Sequence, residues 1–462
     1  MPVSVAASLS GYIEKLEFEQ IPSEVIQYLK LLMTDALACM ISGGETEPSG
    51  IMLDIFEEMG GKEEVTVPAA GRRFPLLHGI YLNSAFANAL DFDDNNPLCT
   101  AGHPSATVFP AALAYAERNG ASGKSLMTAL VAGYETMLRI GKAVEPTCRR
   151  MMEVNGYSTQ QIFGAMAAAG KLLGLTREKL TWAYGIAGLT APVPGVRKEG
   201  LDYRERPAGW VKNNYGWAAM GGALSAEMAA RGFVGCPYIF DGDKGFWIMA
   251  GSDRCQPEWF TYELGKQYLL LEIGFKPYAC CRWTHAAVEA AEELAAERPF
   301  TRQEIKAVRV LTFEEPYYNL RDPKPKNLLD AQFSLPHTVA LALLGRSPAK
   351  GLNAENLMDT DICTLASSIE IILDEEASKA YCDPVKSRQY ATVEVELRSG
   401  EVLRREVRLA RGDSQRPLKK EEILQKYETL TEPIIGRQGA SRLLKAIWSM
   451  EEVENLCDFF RN

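Results

Sequence analysis

"ATVEVELRSGEVLRREVRLARG", residues 391–412, alternates Val393, Val395 and Leu397 with Glu394, Glu396 and Arg398, then turns at Ser399-Gly400 into a second run. A period of two with one apolar face and a Ser-Gly turn predicts a β-hairpin. Nearly everything before residue 265 keeps a different period. "PSEVIQYLKLLMTDALACMISGG" (22–44) sets Val25, Ile26, Leu29, Leu32, Met33, Ala36, Leu37 and Met40 on one stripe, with Ser23 as N-cap and Gly43-Gly44 as stop. Comparable helices are expected at 104–118, 123–143, 160–174, 177–190 and 214–231, several rich in small residues that let helix axes approach closely. Strands are expected in "EIKAVRVLTF" and "SIEIILD", helices in "WTHAAVEAAEELAAE" and "SLPHTVALALLG", and from about 418 the helical period returns in "KKEEILQKYETL" and "RLLKAIWSMEEVENLCDFF". The pattern predicts a mainly α fold. A large helical domain formed from both chain ends (1–270, completed by 408–462) carries an inserted, smaller α+β lid domain (271–407).

A net charge of −10 over 462 residues disfavours non-specific nucleic-acid binding. The ten cysteines are scattered without a CxxC pair, and "MPVSVAASLSGYIEKLEFEQ" lacks the basic start and apolar run of a leader. Reduced thiols in the cytoplasm are the expectation. The apolar run 25–41 carries Lys30 and Asp35, which predicts a core helix and no membrane contact. His78, His103, His285 and His337 stand far apart, so no metal site is expected.

Three stretches carry candidate chemistry. "DFDDNNPLCTAGHPSATVFPAALAY" (91–115) runs from Asp91, Asp93 and Asp94 through Asn95 to His103, just before a helix whose N-terminus attracts anions. His103 reads either as a capping or solvent-facing imidazole or as an acid/base group. For the three aspartates the readings are orienting a neighbour, capping a helix, or facing water. "FKPYACCRWTHAAVEAA" (275–291) gathers Lys276, Arg282 and His285 at the expected domain boundary, where Arg can bind a carboxylate bidentately and a desolvated Lys can lose basicity. Cys280 and Cys281 read as packing residues. "PGVRKEGLDYRERPAGWVKNNYGWAAM" (194–220) is a basic loop, either functional or a solvated lid, that leads through Lys212 into a helix.

Together with "DAQFSLPHTVALALLG" (330–345), these motifs in this order make the chain resemble the MmgE/PrpD family over most of its length. The resemblance implies 2-methylcitrate dehydratase-like, cis-aconitate decarboxylase-like or iminodisuccinate epimerase-like chemistry on a homodimer without an iron–sulfur cluster. It places Asp91, Asn95 and His103 in a cleft on the helical side and matches Lys276 to the family's lid-side lysine. Lys212 matches the substrate-binding lysine, in a loop one residue shorter than the family's. His337 stands where relatives carry a tyrosine. In "VNGYSTQQIFGAMAAAG" (154–170), Asn155 stands where they carry a catalytic histidine, so His337 or Tyr157 takes over part of that role or the reaction needs one fewer proton-transfer group. The expected function is a cofactor-independent dehydratase of a hydroxylated di- or tricarboxylic acid. In it His103 acts as acid or base, Asp91 orients it, and Lys212, Lys276 and Arg282 hold carboxylate charge. An epimerase, isomerase or decarboxylase, or a non-catalytic anion binder, are the alternatives.

Overall fold

The first long helix, Ser23–Ser42, is buried along most of its length, including the eight apolar positions of the expected stripe. It starts at Ser23 itself, with Pro22 in the capping position and no side-chain cap. Gly43 keeps right-handed geometry and passes into a 3-10 turn, so the pair of glycines bends the chain instead of stopping it in a left-handed cap. The computed structural model describes residues 3–96, 102–154, 159–193, 202, 204, 206–210, 214–350, 352–383 and 388–460.

Within these residues the fold is mainly helical. Helices Ser105–Asn119, Gly123–Ala143, Gln161–Leu172, Arg177–Thr190 and Tyr215–Ala230 fall where the 3.6-residue period placed them. Their small residues are contact points. A Cβ on Gly133 would lie 2.6 Å from Val108 and 2.9 Å from the Gly164 carbonyl, so the two helix backbones cross with no room for a side chain.

The short strands β1 (Val65–Val67) and β2 (Arg72–Phe74) form a separate antiparallel pair. The main sheet has the order β4-β3-β5-β6. Its β3 (Ile305–Thr312) runs parallel to β4 (Ile369–Leu373) and antiparallel to β5 (Ala391–Leu397). The hairpin partner β6 (Val402–Val407) pairs Leu403 with Val395 and Arg405 with Val393. Val393, Val395 and Leu397 are buried, as the alternation required.

Two large hydrophobic cores result. One draws on residues from Ala6 to Phe275 and again from Leu418 to Phe459. The other draws on Met151 and on residues from Tyr278 to Ala410. The long helix Lys420–Trp448, kinked at Gly436, packs against Ser23–Ser42. It ends at Trp448, and residues 453–460 form no helix, a correction to the helical pattern extended there.

Lys30 and Asp35 are both buried and both paired with that returning segment. Lys30 Nζ meets Glu451 at 2.7 Å, and Lys426 Nζ meets Asp35 Oδ1 at 2.6 Å. Ser23–Glu45 has the length and composition of a membrane span, but 78% of its apolar window lies inside the fold.

The expectation of reduced thiols is overturned at one pair. Cys148 and Cys382 form a disulfide with Cα atoms 5.4 Å apart. Met151 docks the helix Cys148–Glu153 on the second core and accepts a hydrogen bond from Tyr381, which brings the two cysteines together.

Candidate active site

Helix Leu76–Ala89 ends two residues before Asp91, whose φ of +50° reverses the chain. Aspartate tolerates this left-handed conformation better than most residues. The reversal sends three successive carboxylates to three partners, and none of them faces water.

Asp91 Oδ2 lies 3.0 Å from Lys276 Nζ, and the ammonium also donates to the Asp91 carbonyl at 2.9 Å. Asp93 accepts from Asn88 Nδ2 at 2.9 and 3.0 Å, and its Oδ2 lies 3.2 Å from His103 Nδ1. That last contact is in ion-pair range but too poorly aligned to count as a hydrogen bond. Asp94 accepts from the backbone N–H and the hydroxyl of Ser105, the first residue of the following helix. Asp94 is therefore the capping carboxylate, and His103, two residues before the helix, is left free of that duty. The carboxylate beside His103 is Asp93, which corrects the expectation that Asp91 orients it.

Burial opposes the charge on Lys276, but Asp91 and then Asp93 outweigh it and hold the ammonium above its ordinary value. The lowered basicity considered from sequence is thus reversed. Burial, and next the Asp93 charge, push Asp94 well above the usual carboxylate range. The Tyr215 ring lies 5.6 Å from the His103 ring. Asn95 exchanges backbone hydrogen bonds with Gly274 (2.9 and 2.7 Å), which ties the acidic loop to the strand of chain that carries Lys276. Its Oδ1 is buried with no hydrogen-bond partner among the described residues. Gly412, at φ +81°, closes the same junction, since a Cβ there would lie 1.9 Å from the Phe275 carbonyl.

One residue behind this loop escaped sequence reasoning. Lys426 donates to the Phe92 carbonyl (2.5 Å) and the Lys276 carbonyl (3.2 Å) while paired with Asp35. It fastens the backbone of both halves of the site from inside the core. The available signal was the acidic Asp35 within an apolar helix, which demands a buried cation somewhere.

Several other candidates are committed to structural contacts. Arg282 donates to the carbonyls of Arg411 (2.8 Å) and Ala410 (3.3 Å) and lies 3.5 Å from Asp413, so its fork is committed to a structural clamp and corrects the expected carboxylate contact. His285 Nε2 lies 3.0 Å from the Cys280 carbonyl, and burial keeps its pKa well below the ordinary value. Burial pushes the Cys280 thiol up to about 12, which suits packing and not nucleophilic attack. Part of the basic loop is anchored. Arg206 pairs with Asp330 at 3.4 Å and donates to the Asn319 and Phe333 carbonyls, and the Ala208 N–H donates to Asp330. Lys212, Asn155 and Tyr157 lie outside the described residues.

His337 is 1% exposed, in the first turn of helix Leu335–Leu343. Neither ring nitrogen has a hydrogen-bond partner among the described residues, and burial lowers its pKa to about 4. The native chain thus binds fewer protons than the unfolded chain between about pH 4 and about pH 6.5. Stability from this group is complete above that window and is lost as pH falls through it, by on the order of 3 kcal/mol. Urea midpoints between pH 7 and pH 5 should fall less for His337→Phe than for wild type. Equal falls would show that position 337 does not carry this proton linkage.

The acidic loop thus brings together a buried carboxylate–lysine pair and a histidine with a carboxylate beside it. The MmgE/PrpD N-terminal domain pattern matches residues 7–256 and the MmgE/PrpD C-terminal domain pattern matches residues 278–452. The chain belongs to the MmgE/PrpD family. It is 26% identical to the cis-aconitate decarboxylase-like protein oryM of Aspergillus oryzae, over 97% of this chain and 95% of that protein. It is 25% identical to a cis-aconitate decarboxylase of Aspergillus terreus (98% and 94% covered) and 24% identical to that of Homo sapiens (98% and 93%).

Proposed function

We propose that the chain is a cofactor-independent lyase of a polycarboxylic acid, releasing CO2 from a cis-aconitate-like substrate. The observation that carries this reading is the inequality of the histidines. His103 has a carboxylate at Nδ1, whereas His337 is buried and uncharged near neutral pH. Dehydration needs one group to take a carbon-bound proton and a second to protonate the departing hydroxyl. Decarboxylation with a double-bond shift needs one proton delivered. With asparagine at 155 and a neutral imidazole at 337, the single-proton reaction fits better than the dehydration expected from sequence. The names of the relatives agree with it.

In this reading Asp93 holds His103 with Nε2 toward the substrate. The alkene carbon takes a proton from Nε2, and the carboxymethyl C–C bond breaks. Its electron pair becomes the new terminal double bond as CO2 leaves. Lys276 makes two contacts to Asp91 and, among the described residues, has one N–H left for a substrate carboxylate, with Lys212 as the second cation. Residues 1–270 with 408–462, and 271–407, are taken as the two domains around the site, a division supported by the two cores.

Proton NMR in D2O tests the reaction. With cis-aconitate, each turnover should place one deuterium in the product and release one CO2. Vinyl signals from a hydroxylated acid without CO2 would return the assignment to a dehydratase. Exchange alone would make it an epimerase, and thermal stabilisation without any exchange an anion binder.

A further inference from the structure

A cavity of about 730 Å³ lies beside the acid/base loop. This is within the range, roughly 300–1,000 Å³, of pockets that enclose a drug-sized ligand, and more than a six-carbon triacid needs. It shares two residues with the site. Asn88 lines it and donates to both oxygens of Asp93, and Tyr215 lines it and packs by the His103 ring. Trp210 and Asn214 also line it.

Most of the wall surface is apolar, interrupted by Ser42, Thr46, Ser49, Asn327 and Asn353. Ala85 and Leu90 line it from the helix Leu76–Ala89 and its C-cap, and Leu329 and Leu352, which pack against the second core, line it too. The charged residues among the described lining are Glu45 and Glu47, which repel carboxylates. Gln332 lines it too, 5% exposed, with its Oε1 lacking a partner among the described residues. A cavity that adjoins this centre, is mostly hydrocarbon and has no cation among its described lining residues is shaped for the uncharged part of the same molecule.

We infer that this cavity takes an alkyl substituent of the substrate, so that the preferred acid is a polycarboxylate bearing an apolar chain. The inference rests on the polycarboxylate reading above. The carboxylates stay on the Lys276 side, the chain passes Asn88 and Tyr215, and the Gln332 carbonyl serves a single polar group along it.

Calorimetric binding of 2-alkylsuccinates, from succinate to the hexyl compound, tests this on the full chain without turnover. Each of the first few methylenes should lower Kd about fourfold, the value of a buried CH2, before the cavity fills. Ala85→Phe places a ring in the cavity and should flatten this dependence. Ala354→Trp, at an exposed edge of the cavity, is the second variant, with circular dichroism reporting that each is folded. A Kd independent of chain length in the wild type overturns the inference. So does a dependence that both folded variants keep, since the chain then binds elsewhere or in a contact between copies. A chain-length dependence lost in the variants, together with no turnover of cis-aconitate or its 3-alkyl derivatives, overturns the lyase reading and leaves the pocket standing. Failure of every succinate to bind removes the anion site and both readings with it.

Discussion

Lys426→Met is expected to destabilise the fold by about 3–5 kcal/mol, the cost of leaving a buried charge without its partner. Asp35 is 1% exposed, and burial already raises its pKa against the pull of Lys426. Without the lysine it must take up a proton or sit uncompensated. Activity should fall as well, because the carbonyls of Phe92 and Lys276 lose the ammonium that fastens them. The double change Asp35→Leu with Lys426→Met separates the two effects. Replacing a buried pair with apolar side chains is often neutral, so the double variant should recover most of the stability while kcat stays low. Urea unfolding and steady-state kinetics on the three variants read both. A double variant as unstable as Lys426→Met would show that the hydrogen bonds to the two carbonyls, and not charge pairing, support the fold.

His103→Ala is expected to lower kcat by roughly 10²–10⁴, the usual range for a lost proton-transfer group, with urea stability close to wild type. Asp93→Asn should give a smaller loss, because the amide keeps the shape of the carboxylate beside Nδ1 but not its charge. His337→Ala is the decisive contrast. A fall as large as that of His103→Ala would make 337 a second proton-transfer group and reinstate two-proton chemistry. An undiminished His103→Ala enzyme would place the proton donor on another residue altogether.

Much of this architecture was legible in the sequence because periodicity is local. The stripe in 25–40 and the alternation in 393–397 each specify an element and its buried face without reference to distant chain. Identities of partners are another matter. Asp91, Asp93 and Asp94 are equivalent in composition. Which of them meets Lys276, His103 or Ser105 depends on the positive φ at Asp91, a backbone choice with no pattern of its own. Arg282 had the right chemistry for a carboxylate, but the carbonyls of 410 and 411 reach it first. Cys148 and Cys382 are 234 residues apart, and nothing in their neighbours announces the pairing. The motifs at 91–103 and 275–276 identified the acidic loop and its lysine because those residues are close together within each stretch. Lys426, 334 residues from Phe92, shares no motif with either.

The return of helix Lys420–Trp448 onto Ser23–Ser42 also sets a schedule for biosynthesis. Lys30 and Glu451 are separated by 421 residues. At a translation rate of about 5–20 residues per second, that interval is on the order of 20–80 s. Throughout it the nascent N-terminal layer exposes the apolar stripe that the late helix will cover, with Lys30 and Asp35 still lacking their partners. Closing so long a loop is slow by topology alone, and an open hydrophobic seam on a ribosome-bound chain is the surface that holdase chaperones bind. The acid/base loop cannot reach its final geometry ahead of that closure, since Lys426 arrives with the same helix. The final geometry of this loop is therefore among the last features a newly made chain acquires.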